Sequence, residues 1–444
     1  MSRITQEEVR NLGLTSLGAM LEYYDFVVFV FVAVALGNAM FPPESSAWLR
    51  LVQVFSIYAI GYFVRPVAGL VIAHFADRVG RKRLFILTIF LMSVPTFLMG
   101  LLPTYEQIGI GAPLLLLTLR ILQGCAVGGE LPSAAVFVTE HARPGRLFFA
   151  SGSLHCVVHC GLLLGSGSAA AAAAIAHLYP DAPSLAWRLP FIVGGVSGLT
   201  AAYLRRQLSE TPLFSQLRAT RAAIRLPLGT VLRTHRRACV FGLLVFLVQS
   251  VTSSIFLQYM STYLITQRHL ASTVVFSASV VGVLGLALSM PLWGLCADRF
   301  GPARTIAGGT VAAALVAARF FVRLDAGGIE GAELSWLFLP VGIACGCVIA
   351  LVPGLIASLF PTAVRQTGYA VPYSFGSAIF SGPGPLVLAW SVREFGAMAP
   401  LYFFLVACAV ALCVAALVDR VPRYLGQSAG EAGPAAAEVA AAPW

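Results

Sequence analysis

Charged residues are scarce in this chain of 444 residues: only 11% are Asp, Glu, Lys or Arg, whereas 58% are hydrophobic. The mean hydropathy is +0.85. A soluble domain normally carries about 25% charged residues. The composition therefore excludes an ordinary soluble protein and predicts an all-α polytopic membrane protein surrounded by a lipid bilayer.

Several other common features are missing from the sequence. The nine cysteines lie mostly inside apolar runs and lack the paired spacing of a disulfide framework. No glycine-rich loop with a lysine is present, so ATP-driven pumping is not expected. The first apolar run is too long for a cleaved signal sequence. We expect no cofactor and no nucleic-acid partner.

Long apolar runs, by contrast, recur along the whole chain. About 20 apolar residues cross a bilayer as a helix, and runs of this kind predict twelve spans in two sets of six. The predicted spans are Leu14–Met40, Leu49–Ala76, Leu84–Leu102, Pro113–Val138, Leu147–Ala176, Trp187–Leu204, Ala238–Ile265, Ser272–Ala297, Thr305–Val322, Leu334–Phe360, Thr367–Val392 and Met398–Val418. The predicted units are a six-helix bundle at 1–204, a basic linker at 205–237, a second bundle at 238–426 and a disordered tail at 427–444.

A charged turn follows the second span of each set. Asp77-Arg78-Val79-Gly80-Arg81 is echoed by Asp298-Arg299-Phe300-Gly301, and the two aspartates are 221 residues apart. An internal repeat of this length predicts two pseudo-symmetric halves. Two six-helix bundles joined by a long loop are typical of transporters whose halves rock about a central site.

The basic residues predict the orientation in the membrane. Of the 29 basic residues, 21 fall on one set of alternate loops together with both termini and the linker. Since cytoplasmic loops carry the excess of Lys and Arg, we expect a multi-pass protein of the cell inner membrane with cytoplasmic N- and C-termini.

Together with the charged turns, five further motifs support a family assignment. The Asp77 turn and its copy resemble the signature of the major facilitator superfamily, and Arg120-x-x-Gln123-Gly124 resembles its second motif. The stretches Leu21–Phe26, Arg65–Gly69, Gly128–Glu130 and Leu208–Phe214 resemble the metabolite–proton symporter subfamily.

The resemblance implies a function. Members of that subfamily carry citrate, 2-oxoglutarate, shikimate, or proline and betaine together with protons. It therefore implies a secondary active transporter that moves a small carboxylated metabolite and protons by alternating access. Such a protein is not an enzyme, and we expect it to work as a monomer.

Charges inside the spans are candidate site residues, because a charge in mid-bilayer is costly and usually marks a pathway or a pair. Glu22 and Asp25 are three residues apart and lie on one helix face. Arg65 precedes Asp77 by twelve residues, about 18 Å of helix, which places it at the depth of Asp25. One hypothesis is that Arg65 pairs with these acids until a substrate carboxylate competes and one acid takes the proton. The alternative is a permanent structural ion pair.

Further substrate and proton contacts are expected in both halves. The resemblance implies that Arg120 contacts substrate or senses protonation, with Gln123 beside it. Glu130 is either a third proton-coupling acid or a packing carboxylate, and both interpretations stay open. Polar side chains suited to orienting a ligand complete the predicted binding set: Tyr24, Gln249, Ser253, Gln258 and Tyr373.

The charged turns are predicted gates. The resemblance implies that Asp77 faces the start of the eleventh span near Arg365, and pseudo-symmetry places Asp298 against the start of the fifth span near Arg146. There an anion meets unpaired N–H groups and the positive end of a helix dipole. The alternative is that these charges only determine the orientation of the protein in the membrane. The predicted gating residues are Asp77, Arg78, Gly80, Arg81, Glu140, Asp298, Arg299 and Gly301.

The fifth span contains one unusual motif, His155-Cys156-Val157-Val158-His159-Cys160. Its spacing could hold a soft metal ion or supply a titrating group. It therefore leaves open transport of a metal or metal chelate, but packing residues are favoured and no metal site is expected. A metalloenzyme would need an acidic partner and a water ligand. A sensor of the same fold would need a signalling domain.

Overall fold

The computed structural model describes residues 19–21, 23–25, 27–68, 81–126, 130–140, 142–180, 182–205, 227–329, 331–361 and 364–424. Within these ranges the regular structure is entirely helical.

Twelve helical segments follow the predicted order. Among the described residues, eight helices are long and apolar enough to cross a membrane, and a ninth candidate is a pair of helices with a 63° bend between them. The bent pair, span 1, is Ala19–Phe31 with Ala33–Met40. The eight are span 2 Ala47–Ala68, span 5 Leu147–Leu178, span 7 Arg236–Gln267, span 8 Ser272–Phe300, span 9 Pro302–Asp325, span 10 Gly331–Ser358, span 11 Arg365–Phe395 and span 12 Ala399–Arg420.

Three helices with shorter apolar stretches complete the set. They are span 3 Arg81–Leu101, span 4 Gly111–Ala126 continued by Glu130–Glu140, and span 6 Leu185–Arg205. The described part of the chain thus accounts for all twelve predicted spans, and the all-α polytopic fold is confirmed.

The turn between spans 8 and 9 shows how the sequence sets a helix boundary. Gly301 has a φ of 87° and its N–H bonds to the carbonyl of Ala297. A positive φ favours glycine, which therefore ends helices readily. Pro302 follows at the first position of span 9, where its missing N–H is not needed. Span 8 consequently extends three residues past its predicted end at Ala297.

The linker predicted at 205–237 is not wholly irregular. Its last part forms the helix Pro227–Thr234, which also begins with a proline. Val231 on this helix is fully buried while Leu232 and Arg233 are exposed. A short amphipathic helix of this kind folds because its apolar side packs against the bundle. The sequence did not predict this helix, because the segment is rich in basic residues. Residues 206–226 and the tail lie outside the described residues.

Small residues let the two halves meet at close range. A Cβ added to Gly152 of span 5 would overlap the carbonyl oxygen of Met290, and one added to Gly294 of span 8 would overlap that of Phe148. Span 11 lies equally close to span 2, because a Cβ on Gly382 would lie 2.6 Å from Cβ of Tyr62. Spans 2, 5, 8 and 11 thus form the contact surface between the halves.

Spans 7 and 11 are interrupted where they face each other. Span 7 contains the π-helical segment Ser254–Tyr259, and span 11 contains Ser377–Ser381, just before Gly382 and Pro383. The hydroxyl of Ser381 donates to Ser250 Oγ at 2.9 Å. Such π-segments frequently mark functional sites, and here they bring polar side chains to the middle of the second half.

Candidate functional site between the two halves

Asp25 is a buried acid in the middle of span 1. It is 1% exposed, and neither carboxylate oxygen has a hydrogen-bond partner among the described residues. The charge of the Arg120 guanidinium acts on this carboxylate. A buried carboxylate without donors is expensive. The polar groups nearest to Asp25 are the Thr96 hydroxyl and the Arg120 guanidinium, and the buried carboxylate depends on these neighbours or on a proton.

Arg120 itself is held by a polar chain from span 4 to span 3. Its Nη1 donates to Gln123 Oε1, and Gln123 Nε2 donates to Thr96 Oγ1 at 2.8 Å. Thr96 in turn donates to the carbonyl oxygen of Met92 at 2.9 Å, next to Asp25. This chain of hydrogen bonds fixes the Arg120 guanidinium between spans 3 and 4.

Aromatic rings surround both buried arginines. The Arg120 guanidinium lies 4.6 Å from the ring centroid of Phe29 and 4.8 Å from that of Tyr58. Arg65 lies 4.0 Å from the ring centroid of Tyr62. Cations are attracted to aromatic faces in this range. The rings thus stabilise two positive charges inside the bundle.

Arg120 is an arginine whose charge acts on Asp25 among the described residues. Arg65 was expected to pair with Glu22 and Asp25 together, and its described neighbours include Tyr62 and Tyr23. Because Glu22 lies outside the described residues, the pairing of Arg65 with the two acids stays a prediction. Tyr23 and Asp25 are two residues apart and therefore lie on nearly opposite faces of span 1.

Tyr23 connects the first half to the second. Its side chain neighbours Tyr62 and Arg65 of span 2 and Ser253 of span 7. Its ring centroid lies 5.0 Å from that of His159 in span 5. Spans 1, 2, 5 and 7 therefore meet around one phenol, and we call Tyr23, Tyr62, Arg65, His159 and Ser253 the central cluster.

The other predicted contacts of the second half differ in burial. Gln258 is buried in the π-segment of span 7, and its Oε1 has no partner among the described residues. Gln249 is half-buried one helical turn before Ser253, on the same face. Tyr373 is buried with its ring centroid 5.4 Å from that of Phe246 and 6.3 Å from that of Tyr369. Ser253 alone among them joins the central cluster.

Tyr24 holds the bundle together instead of facing the second half. Its hydroxyl lies 2.8 Å from the carbonyl oxygen of Pro190 in span 6 and 2.9 Å from Ser168 Oγ in span 5. These contacts stay within the first half. Tyr24 was predicted to bind substrate, and its hydroxyl is already engaged in joining three spans.

Asp298 anchors the N-terminus of span 5. Its two carboxylate oxygens accept hydrogen bonds from the backbone N–H groups of Phe148 and Phe149, each at 2.9 Å. These N–H groups have no partner within their own helix, and the helix dipole adds a favourable charge interaction. The contact joins the halves where the sequence placed it, while the gating role stays a prediction.

A second contact joins the halves at the opposite end of the bundle. The Arg393 guanidinium, near the end of span 11, lies 4.1 Å from the ring centroid of Trp48 at the start of span 2. The sequence analysis missed this pair, because no spacing relates two residues so far apart in the chain. Contacts between the halves are therefore present at both ends.

Several predicted residues cannot be placed. Glu22, Asp77, Arg78 and Gly80 lie outside the described residues, and the side chains of Arg81, Glu130 and Glu140 are not described. Arg299 is exposed with its guanidinium 5.4 Å from the ring centroid of Phe300, and Gly301 forms the turn after span 8. The roles assigned to these residues stay predictions.

His155 has a structural role that explains part of the unusual motif in span 5. Pro353 lacks an N–H, so the carbonyl of Ile349, four residues earlier, has no donor in its own helix. The His155 imidazole donates to that carbonyl. Ser151 bridges the neighbouring groups, donating to Ala350 O at 2.7 Å and accepting from the N–H of Gly354 at 3.0 Å.

A metal site finds no support in the described residues. No three His, Cys, Asp or Glu side chains within that part of the chain come together as metal ligands could. Cys156 and Cys160 are each one residue beyond a histidine, about 100° around the helix. They therefore point away from the face that the histidines share.

Comparison with known proteins identifies the family. The family model described as Major Facilitator Superfamily matches residues 15–385, which is most of the chain. The chain belongs to the major facilitator superfamily.

Relatives and solved structures agree with this assignment. The chain is 28% identical over 415 residues to the proline/betaine transporter of Escherichia coli (strain K12), covering 91% of this chain and 82% of the relative. It is 30% identical over 398 residues to the shikimate transporter of the same organism, covering 88% and 90%. The D-xylose-proton symporter structure matches 95% of this chain and 99% of its own, with a TM-score of 0.66 and 16% identity, and so shares the fold. This superfamily member is a multi-pass membrane transporter of small molecules and not an enzyme.

Proposed function

We propose that this superfamily member is a proton-coupled symporter that moves a small carboxylated solute, either an organic acid or a zwitterion, by alternating access. The observation that carries the proposal is Asp25, a carboxyl group buried in mid-span beside the Arg120 guanidinium. Ionisable groups within membrane spans are functional by default because they are expensive. Asp25 is the proposed proton carrier, and Glu22 and Glu130 remain candidates for the same role.

The substrate class follows from the buried cations. Arg65 and Arg120 both lie inside the bundle, stacked on aromatic rings. An arginine binds a carboxylate through two parallel N–H···O bonds. Proline, betaine and shikimate, which name the relatives, all carry a carboxylate. The carboxylate of the solute is therefore proposed to bind Arg65 in the central cluster, where Ser253 and Tyr23 can orient the remainder.

Coupling between the proton and the solute is proposed to arise because Asp25 and the solute carboxylate compete for the same positive charge. When Asp25 is ionised, Arg120 balances it. When a proton neutralises Asp25, the field of Arg120 becomes available to an anionic solute. Proton and substrate then bind together more favourably than either does alone, which is the thermodynamic requirement for symport.

In alternating access, contacts between the halves break first at one end of the molecule and then at the other. The contact of Asp298 with the start of span 5 is proposed to hold one end closed. The contact between Trp48 and Arg393 is proposed to hold the opposite end closed, and we call the two contacts latches. The gating set predicted from the sequence belongs to the first latch, with Asp77 proposed to mirror Asp298. The basic loops favour a cytoplasmic location for that end, with both termini on the same side.

The division of the chain into domains is also a proposal. We propose two six-helix halves at residues 1–204 and 238–426, a linker at 205–237 and a tail at 427–444. The protein is proposed to lie in the cell inner membrane and to work as a single chain.

Uptake into proteoliposomes tests this function. Purified protein is reconstituted, and uptake of proline, glycine betaine, shikimate and citrate is measured with and without an inward proton gradient. The proposal expects saturable uptake of at least one carboxylate that the gradient stimulates. Uptake at the same rate with and without the proton gradient excludes proton symport. High-affinity binding of a solute without any transport favours a sensor of the same fold.

A further inference from the structure

His159 in span 5 has a ring nitrogen that the fold does not use. The imidazole is 1% exposed, and its Nδ1 lies 2.8 Å from the carbonyl oxygen of His155. A carbonyl oxygen can only accept, so Nδ1 carries the proton and Nε2 of the neutral ring carries a lone pair. Nε2 is buried and has no hydrogen-bond partner among the described residues.

Each histidine of the motif leaves one buried ring nitrogen without a partner among the described residues, Nδ1 in His155 and Nε2 in His159. The two differ in their surroundings. The His155 ring donates to the carbonyl that Pro353 leaves free in span 10 and so lies in the contact between the halves, whereas the His159 ring lies against Tyr23. A buried polar atom without a partner is rare in native structures and calls for an explanation.

The unused nitrogen belongs to the central cluster. The Tyr23 ring lies 5.0 Å from the His159 ring between centroids, and the same tyrosine neighbours Arg65 and Ser253. A solute whose carboxylate binds Arg65 therefore lies close to the tyrosine that the imidazole contacts.

We infer that His159 Nε2 is a specificity-determining acceptor that binds an N–H or O–H donor of the transported carboxylated solute. The inference rests on the proposed function and narrows its substrate class. A secondary ammonium or a hydroxyl group supplies the missing donor. A fully methylated ammonium supplies none and leaves Nε2 unpaired, and a site that provides a hydrogen bond selects strongly against ligands that cannot make it.

The test uses matched pairs of solutes that differ only in the donor. The pairs are L-proline with N,N-dimethylproline, and shikimate with its O-methylated derivative, so the two arms distinguish an N–H donor from an O–H donor. Apparent KM values are measured in proteoliposomes for the wild type, His159→Phe and His159→Gln. Phenylalanine keeps a ring without an acceptor, whereas glutamine places an amide oxygen near the position of Nε2. His177→Phe, an exposed histidine at the end of the same span, is the control.

In His159→Phe, we expect the apparent KM of the donor-bearing solute to rise about tenfold, or about 1.4 kcal/mol, with little change for its methylated partner. His159→Gln should restore most of the discrimination, and His177→Phe should leave it intact. Equal losses for both members of a pair, with wild-type uptake intact, overturn the inference and leave the proposed function standing. Absence of wild-type uptake of proline, glycine betaine, shikimate and citrate alike refutes the proposed function and, with it, this inference, whereas uptake of glycine betaine without uptake of proline or shikimate overturns the inference alone.

Discussion

Adjacent residues of span 1 serve different surfaces. Tyr23 faces span 7 and the central cluster, Tyr24 reaches spans 5 and 6, and Asp25 lies beside Arg120. This division follows from the 100° rotation between neighbouring residues of a helix. A short polar run can therefore supply a substrate contact, a structural tether and a proton carrier at one depth in the membrane.

Asp25→Asn tests the proton carrier. The amide is nearly isosteric but cannot exchange a proton, so gradient-driven uptake should fall to the level without a gradient. Exchange of internal for external substrate should persist, because exchange needs no net proton movement. Both are measured with radiolabelled solute in proteoliposomes.

Asp325→Asn is the matched control. This exposed carboxylate pairs with Arg268 at 3.0 Å on the surface, where such pairs contribute little, and uptake should be unchanged. If Asp25→Asn kept full stimulation by the gradient, another acid would be the carrier.

At the residue scale, the sequence predicts which charged residues are buried in the spans better than it predicts which neighbours their side chains contact. The buried charges Asp25, Arg65 and Arg120 were all recognised as candidates, because each interrupts an apolar run. Their partners depend on how four spans pack, which no spacing within one helix contains. Tyr58 and Tyr62 could have been found, since they share a face with Arg65 at intervals of four and three residues.

At the scale of elements, close helix contacts position the site. Gly194 of span 6 lies against span 1, and an added Cβ would lie 2.5 Å from Tyr24 Cε1 and 2.8 Å from Asp25 Oδ1. Gly194→Ala should therefore push span 1 away and destabilise the fold by about 1–3 kcal/mol. Thermal unfolding in detergent measures this as a lower melting temperature.

Gly167→Ala provides the matched control in span 5. Nothing lies within 4 Å of the position of its added Cβ, so its melting temperature should equal that of the wild type or exceed it slightly. Equal destabilisation by both substitutions would contradict the assigned contact, because helix propensity by itself favours alanine over glycine.

Asp298→Asn tests the latch at the start of span 5. The amide keeps one acceptor oxygen but loses the charge that favours the helix N-terminus, worth up to about 1 kcal/mol. The population open at that end should rise about fivefold. Spin labels at the exposed positions Arg143 and Arg304 report it as a longer distance, in a background without the nine native cysteines.

Two comparisons make this result specific. Asp419→Asn removes an exposed carboxylate, paired with Arg423 at the same end, and should leave the distance distribution unchanged. Trp48→Ala removes the contact at the opposite end and should shift the equilibrium the other way, whereas the exposed Trp390→Ala should not. Shifts of the same sign in Asp298→Asn and Trp48→Ala would contradict the two-latch scheme.

Most of the element pattern could be predicted from the sequence. Apolar run length predicts the twelve spans, and the Gly301-Pro302 pair explains one boundary. The helix Pro227–Thr234 was missed, since eight residues of mixed polarity give a weak periodic signal. The π-helical segments of spans 7 and 11 were not predicted, because their hydrogen-bond pattern depends on the opposing span.

Over the whole molecule, the two halves have equivalent arrangements of spans but differ in their buried charged residues. The halves meet through equivalent spans, with 5 against 8 and 2 against 11, yet the buried charges that form the site come from the first half. The second half contributes Ser253, Gln258 and the interrupted spans 7 and 11. This division suits a transporter in which one half binds the proton and the other closes over the solute.

Solute-driven proton movement tests the central claim most directly. Proteoliposomes without a pH gradient and containing a lumenal pH dye receive an inward gradient of a transported carboxylate, with a potassium ionophore to prevent a membrane potential. Symport predicts acidification of the lumen that depends on the solute, saturates with its concentration and disappears in Asp25→Asn. Solute uptake without any change in lumenal pH would contradict the account.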